Sequence, residues 1–177
     1  REIIARDEHH LRVFEILKPG FDRAKERAAR AAAGNPDTYT TADLYADALP
    51  CLKELKRSGY VIGLAGNQPE TAEAALRAMN VPADIIASSA RWGVEKPSLA
   101  FFTRIVDEAK CTPAEIAYVG DRLDNDVIPA RSAGMKAIFL IRGLWGEVHA
   151  KRPGARLAHA RLTTLGDLPA TLRKLST

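Results

Sequence analysis

The sequence predicts an α/β fold, a doubly wound parallel sheet with a small N-terminal helical cap. Three observations lead there. From about residue 47 onward, short apolar runs alternate with stretches of helical period, the pattern of parallel strands joined by crossover helices. Polar residues with reactive potential follow the ends of those apolar runs, where an open parallel sheet places its ligands. The first 33 residues carry helix formers and no strand signal.

Each element has a local reason. HLRVFEILKPGFDRAKERAARAAAG offers two helical stretches split by Lys18-Pro19-Gly20, and NPDTYTTADLYA leads from them to the core. Residues 1–45 are therefore read as a cap or flap and 46–177 as the α/β core. DALPCLKELKRSG (47–59) is a helix with Pro50 in its first turn and Gly59 at its end. GYVIGLA (59–65) is a buried strand bounded by glycines. Pro69 opens a helix that Asn80 stops, and ADIIAS (83–88) is a second strand. In 98–110, Leu99, Phe102, Ile105, Val106 and Ala109 share one helical face. Thr112 and Pro113 open a short helical turn before the third strand, EIAYVG (115–120). A helix ending at Ala133, with Gly134 as its stop, precedes the clearest strand, MKAIFLI (135–141). A short extended piece and a helix from near Pro169 close the chain.

Composition narrows the function classes. The chain has 177 residues, 46% of them hydrophobic, which suits one ordinary globular domain. The net charge of +4 is mild and its basic residues are dispersed. KERAAR and KRPGAR, the densest basic spots, read as solvated surface rather than a nucleic-acid patch. No apolar run approaches the roughly 18–20 residues of a membrane span, and REIIARDEHH does not resemble a signal peptide. Cys51 and Cys111 lack metal-ligand company and read as small buried hydrophobes of a reduced, cytoplasmic protein.

Three polar signals can converge beyond the strand ends. In VGDRLDNDV, Asp121 leaves a strand through Gly120, with Asp124 and Asp126 on the next turn. Such crowded carboxylates either gather a hard cation such as Mg²⁺ or sit as an acidic helix N-terminus, with Asp124 the best cap. In GLAGNQPE, Gly66 and Asn67 precede a helix start, either a phosphate cradle or an ordinary turn. Lys96, held extended before Pro97, either supplies a point charge to a phosphoryl group or is a plain surface lysine.

Taken in order, strand–Gly-Asn, Lys-Pro and strand–Gly-Asp-x4-Asp resemble the second, third and fourth motifs of the haloacid dehalogenase (HAD) superfamily, over roughly residues 45–175. LYADALPCLKELKRSGYVIGLAGN, GVEKPSLAFF and YVGDRLDNDVIPARSAGMKAIFL carry that resemblance. It implies a Rossmann-like core and Mg²⁺-dependent hydrolysis of a small phosphomonoester through an aspartyl-phosphate. Asp121 would then ligate the metal, Asp126 would support its shell directly or through water, and Lys96 would neutralise nucleophile and phosphoryl charge. Gly66 and Asn67 would hold the phosphoryl group together with Lys96.

Two departures stand out. Gly66 occupies the place of the family's usual Ser or Thr, and no apolar strand ending in DxDxT appears. Asp7 in IIARDEHHL, with His9 in the acid/base place, has too short an apolar lead-in to replace it, and HLRVFEIL reads as helix. The resemblance puts the missing strand mid-sheet, and the arginine start is read as a chain continuing upstream, so these 177 residues are expected to be inactive. The other enzyme reading within the fold, dehalogenation of a 2-haloacid, needs no metal and leaves the acidic cluster without purpose. The alternative of another class is a non-catalytic protein binding a phosphorylated ligand or a partner. His9 and His10 are adjacent and chelate poorly, and Trp92 and Trp145 (the latter on a loop) are read as packing residues.

Overall fold

The computed structural model describes residues 12–35 and 38–176, so Asp7, His9 and His10 lie outside the described residues. The chain divides into two compact units, Arg1–Tyr39 and Thr40–Thr177. In the first, α1 (Arg12–Leu17) and α2 (Arg23–Ala32) flank a turn at Gly20, whose φ of 77° suits glycine. Asp22 caps α2 by accepting from the Lys25 N–H at 3.0 Å.

The second unit is α/β. In chain order its main elements are α3 (Ala48–Arg57), β1 (Gly63–Gly66), α4 (Glu70–Ala78), β2 (Ile85–Ser88), α5 (Ser89–Trp92) and α6 (Leu99–Ala109). There follow β3 (Ala117–Gly120), a π-helical turn over Leu123–Val127, α7 (Ile128–Ser132), β4 (Lys136–Leu140), α8 (Gly143–His149), β5 (Ala160–Leu162) and α9 (Leu168–Leu175). Among the described residues every strand pairing is parallel: β1 with β2, Gly63 opposite Ile85, and β3–β4–β5, Ala117 opposite Lys136 and Ile138 opposite Ala160. Crossover helices link the strands, as parallel pairing demands.

Among the described residues β1 and β3 do not pair. Their outer edges, from Ile62 to Gly66 and from Ala117 to Val119, line one cavity of about 770 Å³. Leu55, Leu76, Ile105 and Leu172 close it from the flanking helices. Two strand edges therefore look onto a single apolar slot.

Side chains hold the two sheets together across that slot. β4 alternates, sending Ala137 and Phe139 to one face and Ile138 to the other, all fully buried. Ala137 and Phe139 join Ala87, Trp92, Phe101, Phe102 and Leu123 in one cluster. Ile138 joins Leu55, Ile62, Leu162 and Leu172 in the other. The first cluster draws on both sheets and the second joins β4 and β5 to Ile62 at the entrance of β1; each large side chain so buried contributes about 1.5–3 kcal/mol.

Two carboxylates act as tethers, Glu73 buried and Asp47 half-buried. Glu73, 8% exposed, accepts from Arg77 at 2.9 Å, Arg91 at 3.1 Å and the Ser88 hydroxyl at 3.0 Å, fastening α4 to the end of β2. Asp47 accepts a two-pronged bond from Arg142, the Thr164 hydroxyl at 2.7 Å and the Leu165 N–H at 2.9 Å. The start of α3 is thereby fixed to the segments that leave β4 and β5.

Three local expectations change. Leu99, placed on the apolar face of its helix, is 52% exposed, because the first turn of α6 instead turns Phe101 inward against Trp92, ring centroids 5.2 Å apart. Trp145 lies in α8 rather than a loop: two glycines in GLWGEVH masked a helix that packs on the end of β4. Asp124 does not cap the turn after β3, since Arg122 holds its carboxylate.

Candidate active site

Asn67 and Lys96 meet beyond the C-terminal end of β1, and the Lys96 side chain reaches Asp126 in the turn after β3. Asn67 follows β1 directly and grips the backbone of Lys96 twice. Its Nδ2 donates to the Lys96 carbonyl at 2.9 Å, and the Lys96 N–H donates to its Oδ1 at 2.8 Å. Lys96, so held, extends its ammonium to Asp126 Oδ1 at 2.6 Å. The two side chains are only 13% and 4% exposed, so this is a buried ion pair.

The other oxygen of Asp126 accepts from the Arg122 N–H at 3.0 Å. Gly120 makes this possible: a Cβ there would fall well inside 3.0 Å of the Asp126 side chain. Tyr118 completes the surroundings of Lys96, with its ring centroid 5.7 Å from the ammonium. Burial alone would lower the Lys96 pKa, but the Asp126 charge and the Tyr118 hydroxyl outweigh it and push it up to about 12. Burial raises the Tyr118 phenol to about 12 as well.

Asp121, at the exit of β3, is half-buried. Burial first, and then the neighbouring Asp126 charge, raise its pKa above the usual carboxylate range. Among the described residues no group of three or more His, Cys, Asp or Glu side chains converges. Gly66 ends β1, and a Cβ there would meet nothing closer than Gln68 Cγ at 3.6 Å, so sterics do not demand glycine.

A family model described as haloacid dehalogenase-like hydrolase matches residues 4–134. The chain belongs to the haloacid dehalogenase-like hydrolase family. It is 29% identical over 149 residues to a glyceraldehyde 3-phosphate phosphatase of Methanopyrus kandleri, a match covering 81% of this chain and 64% of that protein. It is 34% identical over 141 residues to the sesquiterpene phosphatase astK of Aspergillus oryzae, covering 78% of this chain and 67% of the relative. Thus the match spans about two thirds of the length of these relatives. A HAD phosphatase from Thermococcus onnurineus superposes with a TM-score of 0.63 at 22% identity, over 97% of this chain and 88% of that one, a likeness of fold.

This haloacid dehalogenase-like chain also uses residues that sequence reasoning passed over. Arg122 binds Asp124 through Nε at 3.1 Å and through Nη2, and stacks on the Trp145 ring at 3.8 Å. His149, fully buried, accepts the Leu123 N–H on Nδ1 at 3.0 Å. For Tyr118 a signal existed: it lies two residues before Gly120, on the same strand face. For Arg122 and His149 there was none short of the fold.

Proposed function

We propose that the chain is the larger part of a Mg²⁺-dependent HAD-family phosphohydrolase that cleaves a small phosphomonoester through an aspartyl-phosphate. The observation that carries this reading is the buried Lys96–Asp126 pair beside Asp121, with Asn67 fixing the Lys96 backbone. A nucleophilic aspartate belongs on an apolar strand lying in the slot between β1 and β3, whose two open edges and apolar walls suit one more parallel strand.

The donor set fits Mg²⁺, which takes one or two carboxylates and keeps several waters. Asp121 is a carboxylate whose ionised form burial and Asp126 disfavour, so a cation beside it relieves a cost. Asp121 would hold the metal directly, and Asp126, engaged with Lys96 and Arg122, would support its shell. When bound, the ion neutralises charge on the phosphoryl oxygens. Lys96 supplies a fixed positive charge to the same oxygens, and Gly66 and Asn67 offer main-chain and amide donors. The relatives named as phosphatases of small organic phosphates support this substrate class. Free Cys51 and Cys111 fit a reducing, cytoplasmic setting.

A second reading, a non-catalytic binder of a phosphorylated ligand, is favoured by Gly66, which lacks the hydroxyl donor. One experiment separates the two. Aryl phosphate hydrolysis is measured for the chain alone and with a peptide carrying an apolar strand that ends in Asp-x-Asp-x-Thr, with Mg²⁺ or a chelator. The expected result is turnover only with peptide and Mg²⁺, abolished by Asp121→Asn. Phosphate binding without turnover in the complemented chain supports the binder, and turnover unaffected by Asp121→Asn removes that residue from its role.

A further inference from the structure

We propose that His149 is a positioning residue of this site: through Leu123 it fixes the acidic turn that brings Asp126 to Lys96. The turn leaves β3 as a π-helical segment, so its first amides have no partner within the helix. Side chains take two of them in succession. The Arg122 N–H goes to Asp126 Oδ2 at 3.0 Å and the Leu123 N–H to His149 Nδ1 at 3.0 Å. An aspartate would ordinarily serve as such a cap. Asp124 is unavailable, because Arg122 binds it and is itself stacked on Trp145.

Trp145 and His149 stand four residues apart on α8, hence on one helix face, with ring centroids 5.2 Å apart. One face of α8 therefore holds the turn at two points, through Arg122 and through Leu123. Gly146 allows the approach: a Cβ there would lie 3.1 Å from the Ile141 backbone and the Leu140 carbonyl. The segment GLWGEVH thus reads as a clamp, with glycine for closeness, tryptophan for Arg122 and histidine for the amide. Accepting at Nδ1 also requires that this nitrogen carry no proton.

The inference rests on Lys96 and Asp126 belonging to the active site, but its deciding measurements need neither substrate nor metal. In the ¹⁵N-labelled chain, a scalar coupling across the N–H···N bond between Leu123 and His149 Nδ1 is expected, with Nδ1 unprotonated. Its absence, or a protonated Nδ1, overturns the proposal. His149→Asn places an acceptor near the Nδ1 position, whereas His149→Phe fills the space without one. The Lys96 side-chain ammonium resonance, expected to be visible because the pair is shielded from solvent, should persist in His149→Asn and broaden or shift in a folded His149→Phe. An unchanged Lys96 signal in His149→Phe would show packing alone and sink the idea. In the peptide-complemented chain, His149→Phe is expected to weaken Mg²⁺ activation about tenfold, the size usual for residues supporting a metal ligand. Failure of wild-type turnover would count against the phosphatase reading while leaving the coupling and the Lys96 signal to decide on His149.

Discussion

Gly120 and Asp126 stand so close that the first has no room for a side chain without displacing the carboxylate of the second. The strand must pass under Asp126 for that carboxylate to reach Lys96 and the Arg122 N–H together. Gly120→Ala is expected to cost about 1–3 kcal/mol, the usual penalty of overpacking. Urea unfolding monitored by circular dichroism measures it. A neutral result would mean that β3 shifts freely, which its pairing with β4 argues against.

The Lys96–Asp126 pair should show the asymmetry of buried charges. Lys96→Met alone leaves a carboxylate 4% exposed without its cation, and a loss of about 3–5 kcal/mol is expected. Lys96→Met with Asp126→Leu removes both charges and should recover much of that loss. A double-mutant cycle from denaturant midpoints gives the coupling, and additive single effects would contradict the pair's burial.

Asp121 should trade stability for function. Its folded pKa lies above the ordinary 3.8, so the folded chain binds this proton more tightly than the unfolded chain does. Stability then falls as pH rises through that interval, and the cost persists at neutral pH. Asp121→Asn is expected to raise the melting temperature at pH 7, each kcal/mol recovered giving about 2–4 °C. Millimolar Mg²⁺ should stabilise the wild type and not the variant. Scanning calorimetry with and without the ion checks both.

Glu73 works in the opposite sense. Burial would raise its pKa, but bonds from Arg77, Arg91 and Ser88 outweigh that and lower it below the ordinary 4.5. Its contribution is complete above 4.5 and is lost as pH falls through the folded value. Asp47, Asp84 and Asp124 are lowered too and add to the same acid-side loss. Glu73→Gln should destabilise the chain at pH 7 and flatten the decline below pH 4.5. Unfolding free energies from pH 3 to 7 test this, and an unchanged slope would remove Glu73 from the account.

Much of this arrangement was legible in the letters. MKAIFLI declares β4 because a strand buried on both faces is apolar through its centre, and Lys96 before Pro97 is set apart from helix by its neighbour. Asn67 and Asp121 leave strand ends, which topology brings to one rim once the strands are known, whereas the ion pair of Lys96 with Asp126 in the turn was not foreseen. The turn after β3 was not legible: π and α geometry use the same residue types, and hydrogen bonds that reach one residue further leave no mark in LDNDV. Nor was the bond between Leu123 and His149, 26 residues apart and dependent on how α8 lies against β4.

The open edges of β1 and β3 carry a kinetic consequence. Amides at those edges lack a ladder partner among the described residues, whereas β4 is paired on both sides and its central side chains are wholly enclosed. In deuterated water the protein should therefore label unevenly, fast along the two facing edges and slowest at the heart of β4. An added strand seated between them would erase that contrast, so deuterium uptake followed residue by residue reads occupancy of the slot independently of any chemistry performed at its end.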